Sequence, residues 1–147
     1  MSALPPPPLI GALLRVPSQI IHRRLIAGLN AAGFSDLRLP HIAVLSYPGP
    51  DGCRPGDLAE RWGMSKQAMN QLLGSLEQLG YLARVSEGGD GRARVVRLTP
   101  RGAAAWQKEW EILGQIESEW QETLGAVRFE QLKSLLRDLW VSDLIRP

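Results

Sequence analysis

A single cysteine, Cys53, occurs in this chain of 147 residues. No internal disulfide can form, and no cysteine-based zinc site can be assembled. The two histidines, His22 and His41, are too few and too separated in sequence to suggest a metal site. The expectation is therefore no metal and no cofactor. No segment approaches the roughly 20 apolar residues that a bilayer span needs. The opening "MSALPPPPLIGALLRV" lacks the basic region of a signal peptide. A cytoplasmic protein without membrane association is expected. Catalytic sets are missing as well: no Ser/His/Asp or Cys/His group falls at useful spacing. The glycine-rich "GGDGRA" leads into a strand, whereas a nucleotide-binding phosphate loop opens a helix. Enzymatic activity is not expected.

What is present is an uneven charge distribution. Net charge is +2, yet residues 1–102 hold 12 Lys/Arg against 7 Asp/Glu, and residues 103–147 hold 5 against 8. A basic portion joined to an acidic helical tail suits a protein that meets a polyanion with one end. The punctuation predicts mostly helices. Apolar residues from Leu9 to Leu29 recur at helical spacing up to Gly33, and "LPHIAVLSY" has Pro40 in its first turn. In "RPGDLAERWG", Pro55 opens a helix and Gly63 stops it, although Arg54 is a poor cap. Ser65 then caps a helix that ends at Gly80. Two short helices joined by a tight glycine turn have the form of a helix-turn-helix. Tyr81–Val85 and Ala93–Leu98 read as strands around an "EGGDG" turn. Thr99-Pro100 starts a long helix with Trp106, Leu113 and Trp120 near heptad spacing, and a last helix carries Leu132, Leu135, Leu136 and Leu139.

The Ser65–Gly80 helix carries an unusual polar surface. Met69, Leu72, Leu73 and Leu76 converge on one side, while Gln67, Gln71, Gly74 and Gln78 lie opposite, flanked by Asn70 and Ser75. A solvated helix face is ordinarily rich in Glu and Lys; this one holds amides. Asn and Gln can present a donor and an acceptor together, the pair that adenine shows in the major groove. Ser65, Lys66 and the free N–H groups of the first turn are suited to a phosphate. Gly74 costs about 1 kcal/mol of helix propensity relative to Ala, one use of which is close approach by a partner. The alternative is a polar, solvated face. Arg84, Arg92, Arg94, Arg97 and Arg101 surround the hairpin, suited to DNA backbone and a narrow minor groove, or alternatively to edge strands guarded by charge.

The order helix, helix-turn-helix, "LEQLGYLAR", "DGRARVVRLTPRG" resembles the MarR (multiple-antibiotic-resistance regulator) family of winged-helix transcription factors. The wing signature is carried by Asp90, Arg92, Leu98, Thr99 and Gly102, and the resemblance spans about residues 9–140. It implies a mainly α fold with a small β-hairpin wing. Residues 1–33 would form an N-terminal dimerisation helix, 34–102 a winged DNA-binding lobe, and 103–147 the C-terminal dimerisation helices. It further implies a homodimeric repressor straddling a pseudo-palindromic operator in double-stranded DNA, released by a small phenolic or anionic effector. From the amide face, the helix start and the hairpin arginines, the DNA-contacting residues are expected to be Ser65, Lys66, Gln67, Asn70, Gln71, Gly74, Arg84, Arg92 and Arg94. Arg54, where a Ser/Thr cap is usual, and the glycine-rich tip depart from the family pattern.

Four of five tryptophans lie in the C-terminal helices. Trp120 and Trp140 are expected at a dimer interface. Trp106 and Trp110, with Arg15, His41 and Tyr47, form the expected pocket for a small aromatic or anionic effector. Cys53 lies in a Gly/Pro loop with nothing but Arg54 to depress its pKa, and no redox role is expected of it. A reading from another class is a winged-helix module for protein–protein contact that has lost DNA binding; the amide-lined helix and the hairpin arginines argue against it.

Overall fold

Glycines with positive φ mark the ends of the principal helices. A computed structural model describes residues 7–46, 52–87 and 93–144. Helix α1 (Ile10–Ala31) stops before Gly33 at φ 95°, and α2 (Leu39–Leu45) carries Pro40 in its first turn. Helix α3 (Pro55–Arg61) starts without a side-chain cap at Arg54, the weak start visible in the sequence. Gly63, at φ 59°, turns the chain into α4 (Lys66–Gln78), where the Ser65 hydroxyl accepts from the Ala68 N–H at 3.1 Å. Gly80, at φ 82°, releases the chain into β1 (Leu82–Glu87), which pairs antiparallel with β2 (Ala93–Leu98). Helices α5 (Pro100–Leu124) and α6 (Ala126–Val141) follow. The fold is mainly helical with a two-stranded wing, and the N- and C-terminal helices pack together. The wing turn, including Asp90 and Arg92, and Tyr47 lie outside the described residues.

One core runs beneath the helix-turn-helix into the α1–α5 contact. Leu58, Met69, Leu73, Leu76, Tyr81 and Val96 are buried on the lobe side, Leu25, Leu29, Ile112 and Ile116 on the other. Helices α1 and α5 approach closely at Gly28: a Cβ added there would lie 2.5 Å from Ile112 Cδ1. Arg24 Nη2 donates to Glu119 Oε1 at 2.9 Å on the rim of this contact. Trp120 and Leu113 pack against the chain's own core. Trp120 is only half-buried there, so part of its ring stays exposed on α5 beside the α1–α5 contact. Trp140 remains exposed.

Strand β2 is bonded on both sides. Beyond its ladder to β1, Val96 forms an antiparallel bridge with Cys53, with N···O distances of 3.0 and 2.8 Å. Gly52, at φ 82°, permits this approach: an added Cβ would meet the Val96 carbonyl oxygen at 3.0 Å. Burial first, and then the Asp57 charge, push the Cys53 thiol above its ordinary pKa, so it remains a thiol.

Glu109 is buried to 4% exposure on α5. The Ser46 hydroxyl donates to its Oε1, while Oε2 has no hydrogen-bond partner among the described residues. Burial pushes its pKa up to about 7, with the Ser46 bond opposing. Below the ordinary carboxylate pKa the group is protonated whether the chain is folded or not. As pH rises towards 7 the unfolded chain ionises first, so folding loses stability, by an amount on the order of 3 kcal/mol once both states are charged. Glu109→Gln removes the charge and keeps an acceptor for Ser46. Thermal melts from pH 5 to 8 should show this variant gaining on wild type as pH rises. A variant that loses ground at pH 8 would mean that the ionised carboxylate is stabilising.

Candidate nucleic-acid interface

The outer face of α4 begins at an open helix N-terminus and stays almost free of charge. Ser65, Lys66, Gln67, Asn70 and Gln71 are exposed, whereas Met69, Leu73 and Leu76 turn inward and are buried. The Ser65 hydroxyl is committed to capping Ala68 N–H, which leaves the other first-turn N–H groups and Lys66 available to an anion. Gly74 is half-buried, and an added Cβ would meet nothing within 4 Å. Nothing inside the chain therefore requires glycine there.

Three polar attachments hold this helix. On its inner side, the Arg38 N–H donates to His41 Nδ1 at 3.2 Å, which places the ring proton on Nε2, 3.1 Å from Ser75 Oγ. Burial and then the Arg38 charge lower the His41 pKa, with Asp36 opposing, so the ring is neutral as it bonds α4. Along its flank, Arg84 of β1 donates from Nε to Glu77 Oε1 at 2.9 Å and from Nη1 to Asn70 Oδ1 at 3.2 Å. At its C-terminal end, Arg101 donates to the Leu79 carbonyl at 3.0 Å and to Asp36 Oδ2 at 3.0 Å, with its guanidinium 4.5 Å from the Tyr81 ring centre. The Tyr81 hydroxyl donates to Asp36 Oδ1; burial, then that carboxylate, push its pKa up to about 12.

The signature residues Leu98, Thr99 and Gly102 sit at the junction of wing and α5. The Thr99 hydroxyl accepts from Gly102 N–H at 3.0 Å and donates to the Gly80 carbonyl. Gly102 is obligatory by contact: an added Cβ would lie 2.0 Å from the Tyr81 carbonyl oxygen. These residues build the lobe and do not face outward for a ligand. In the wing, Ser86 pairs with Arg94 and Arg84 with Val96, so the two arginines share one face of the ladder. Arg94 is exposed, while Arg84 is turned onto α4. Arg101, grouped by sequence with the hairpin arginines, serves the Asp36–Tyr81 knot. Asp36 lies 65 residues from Arg101, and nothing local in the sequence signals the pairing.

The expected effector residues are not gathered within one chain. Trp106 and Trp110 form an edge-on pair with centroids 5.8 Å apart, but His41 is turned to Ser75 on α4. Arg15 lies on the N-terminal half of α1, where its neighbour Leu14 faces Leu136 and Trp140 of α6. Because α1 and α5 run antiparallel, with Gly28 at Ile112 and Arg24 at Glu119, Arg15 is carried away from Trp106. A groove of about 600 Å³ lies elsewhere, lined by Gln19, His22, Arg23, Ile26 and Asn30 of α1 and by Leu39 of α2. The sequence reading passed over it; His22, Arg23, Ile26 and Asn30 at i, i+1, i+4 and i+8 were the available signal.

A helix-turn-helix with an open amide face, followed by a two-stranded wing and flanked by long terminal helices, defines a winged-helix transcriptional regulator. The chain belongs to the MarR family, whose sequence profile matches residues 35–93. This is a family of DNA-binding transcription factors, not of enzymes. It is 30% identical over 111 residues to the transcriptional activatory protein BadR of Rhodopseudomonas palustris, a match covering 74% of this chain and 61% of BadR. It thus spans less than two thirds of BadR's length. To the HTH-type transcriptional repressor Rv2887 of Mycobacterium tuberculosis it is 27% identical over 88% of this chain and 92% of the repressor. The structure of Rv2887 in complex with salicylic acid superposes with a TM-score of 0.64, covering 92% of this chain and 99% of that one. A mutant of E. coli MarR complexed with operator DNA shares the fold, with a TM-score of 0.70 at 24% identity, covering 88% and 92% of the two chains. Among the described residues no helix is long and apolar enough to cross a membrane.

Proposed function

We propose that this chain is a cytoplasmic, homodimeric repressor that reads a pseudo-palindromic operator with α4 and grips the adjoining backbone with its wing. The observation that carries the reading is the exposed, amide-lined face of α4 beside an arginine-bearing hairpin. Amides on a helix's outer face supply hydrogen bonds to base edges, and an open N-terminus with Lys66 supplies a phosphate contact. Dimer formation is supported by α6, in which Phe129 alone is buried while Leu135 and Trp140 are 64% and 68% exposed. Leu9, Ile10 and Leu13 of the N-terminal segment are equally uncovered, and apolar area of this extent is ordinarily covered by a partner. The α1–α2 groove suits a small aromatic acid. Arg23 and His22 supply charge and hydrogen bonds, and Ile26 and Leu39 apolar walls. Binding of such a compound agrees with the salicylic acid complex of Rv2887; loss of DNA on binding is the regulatory step it would trigger.

Binding to operator and scrambled duplexes at several salt concentrations tests the DNA assignment. Gln71→Ala should cost about 1–3 kcal/mol at the operator and little on scrambled DNA. Arg94→Ala should weaken both and flatten the salt slope by about one unit. Equal losses on both duplexes for Gln71→Ala, together with an unchanged slope for Arg94→Ala, would reverse the assignment of helix to bases and wing to backbone.

Sedimentation at micromolar concentration should give a species near twice 16.2 kDa. Trp140→Glu, which places charge on the uncovered face, should shift it towards monomer; a wild-type monomer would remove the straddling dimer. For the effector, salicylate should lower operator affinity of wild type and act much more weakly on Arg23→Ala. Equal release of both would place the effector outside the α1–α2 groove.

A further inference from the structure

We infer that Arg84 is a positioning residue for base readout, and that it makes Asn70 read DNA as a hydrogen-bond donor facing guanine. This rests on the proposed placement of α4 in the major groove. Arg84 leaves β1 and lies along α4 from Glu77 to Asn70, its Nε on Glu77 Oε1 at 2.9 Å. Its Nη1 donates to Asn70 Oδ1 at 3.2 Å, and its Nη2 points at the Asn70 carbonyl oxygen at 3.5 Å. Only 23% of the Arg84 side chain is exposed, and Glu77 offsets its charge. The wing thereby supports a residue of the reading helix through a fork of N–H groups.

The chemistry of the Asn70 amide follows. With Oδ1 held by a guanidinium, the group of the side chain left without a partner is Nδ2, with two N–H donors. Bidentate pairing with adenine needs the amide to accept from N6 while donating to N7. One of the two Oδ1 lone pairs is taken by Arg84, and the cation beside the oxygen disfavours a second donor, such as adenine N6–H, on the other. Guanine offers two neighbouring acceptors, N7 and O6, and matches a side chain that presents its donors. Gln67 and Gln71 have no such partner among the described residues and keep both functions. Asn70 is therefore a reader of different chemistry from its two neighbours, and the difference comes from the wing strand.

The test is selection from a randomised duplex library, followed by binding to the winning site and to its guanine-to-adenine variant. Wild type should select guanine at one base pair in each half-site, and Asn70→Ala should make that pair indifferent. Arg84→Met keeps a straight side chain and removes every donor. It should move preference at that pair from guanine towards adenine, changing the affinity ratio of the two sites roughly tenfold, with other positions unaltered. Asn70→Ala in the Arg84→Met background should abolish the new preference. Glu77→Gln loosens Arg84 without removing it and should give a smaller shift in the same direction, which preserves the test if Arg84→Met melts too early. If Arg84→Met weakens all sequences alike, flattens the salt slope and leaves the preference unchanged, Arg84 contacts phosphate and the inference is wrong. If Asn70→Ala leaves every preference in place, Asn70 does not read a base and the inference falls with it. Should Gln67 and Gln71 substitutions also leave every preference in place, the proposed readout by α4 fails too.

Discussion

Where Thr99 and Gly102 cross the backbone of Gly80 and Tyr81, the end of the reading helix, the base of the wing and the start of α5 share one small volume. The Thr99 N–H bonds the Tyr81 carbonyl at 3.0 Å, and its hydroxyl serves both as N-cap to α5 and as donor to Gly80. Gly102 permits this because no side chain fits against the Tyr81 carbonyl. Arg101 binds the Leu79 carbonyl, at the C-cap of α4, from the same helical turn. The direction in which α5 leaves the lobe is thus set relative to α4 by contacts a few residues long. A bound partner chain packed on α5 and α6 would find its DNA-facing helix already oriented by this junction.

The lobe's polar interior has a common purpose. His41 bonds α4 from behind, Arg84 from the flank and Arg101 from its C-terminal end. Hydrophobic contacts alone, through Met69, Leu73 and Leu76, would allow a short helix to rotate or slide at small cost, since they are not directional. Directional bonds at three places fix its azimuth, and azimuth decides which side chains reach a base. Each attachment also comes from a different element: α2, β1 and α5.

Much of this architecture is legible in the chain. Ser65, Gly63 and Gly80 delimit α4 through capping and positive φ, both local properties. Hydrophobic spacing placed the core side of α4 correctly, and the wing strands appeared within a residue or two of their bounds. Long-range pairings were not legible. Nothing near Asp36 announces Tyr81 or Arg101, and nothing near Asn70 announces Arg84, because a side chain's partner depends on the packed fold. The α5 heptad is ambiguous for a related reason: a seven-residue repeat says that a stripe is covered, and α1 of the same chain covers part of it. Arg15 is carried away from Trp106 and Trp110 because composition carries no information on which faces meet.

The bridge between Cys53 and Val96 closes the DNA-facing unit into a ring of chain. Everything from the entrance of α3, through the turn and α4, to the returning strand lies on its circumference, and its two ends are bonded back to back. A ring of fixed perimeter treats added length unequally. Residues inserted in the α3–α4 turn must be absorbed inside the closed path, against the packing of Met69 and Leu58. Residues added between Glu87 and Ala93 lie past the last pair of the ladder and leave every pair in register. The wing tip is accordingly the place where such a chain can change length at least cost, while the spacing between its two short helices is held by closure.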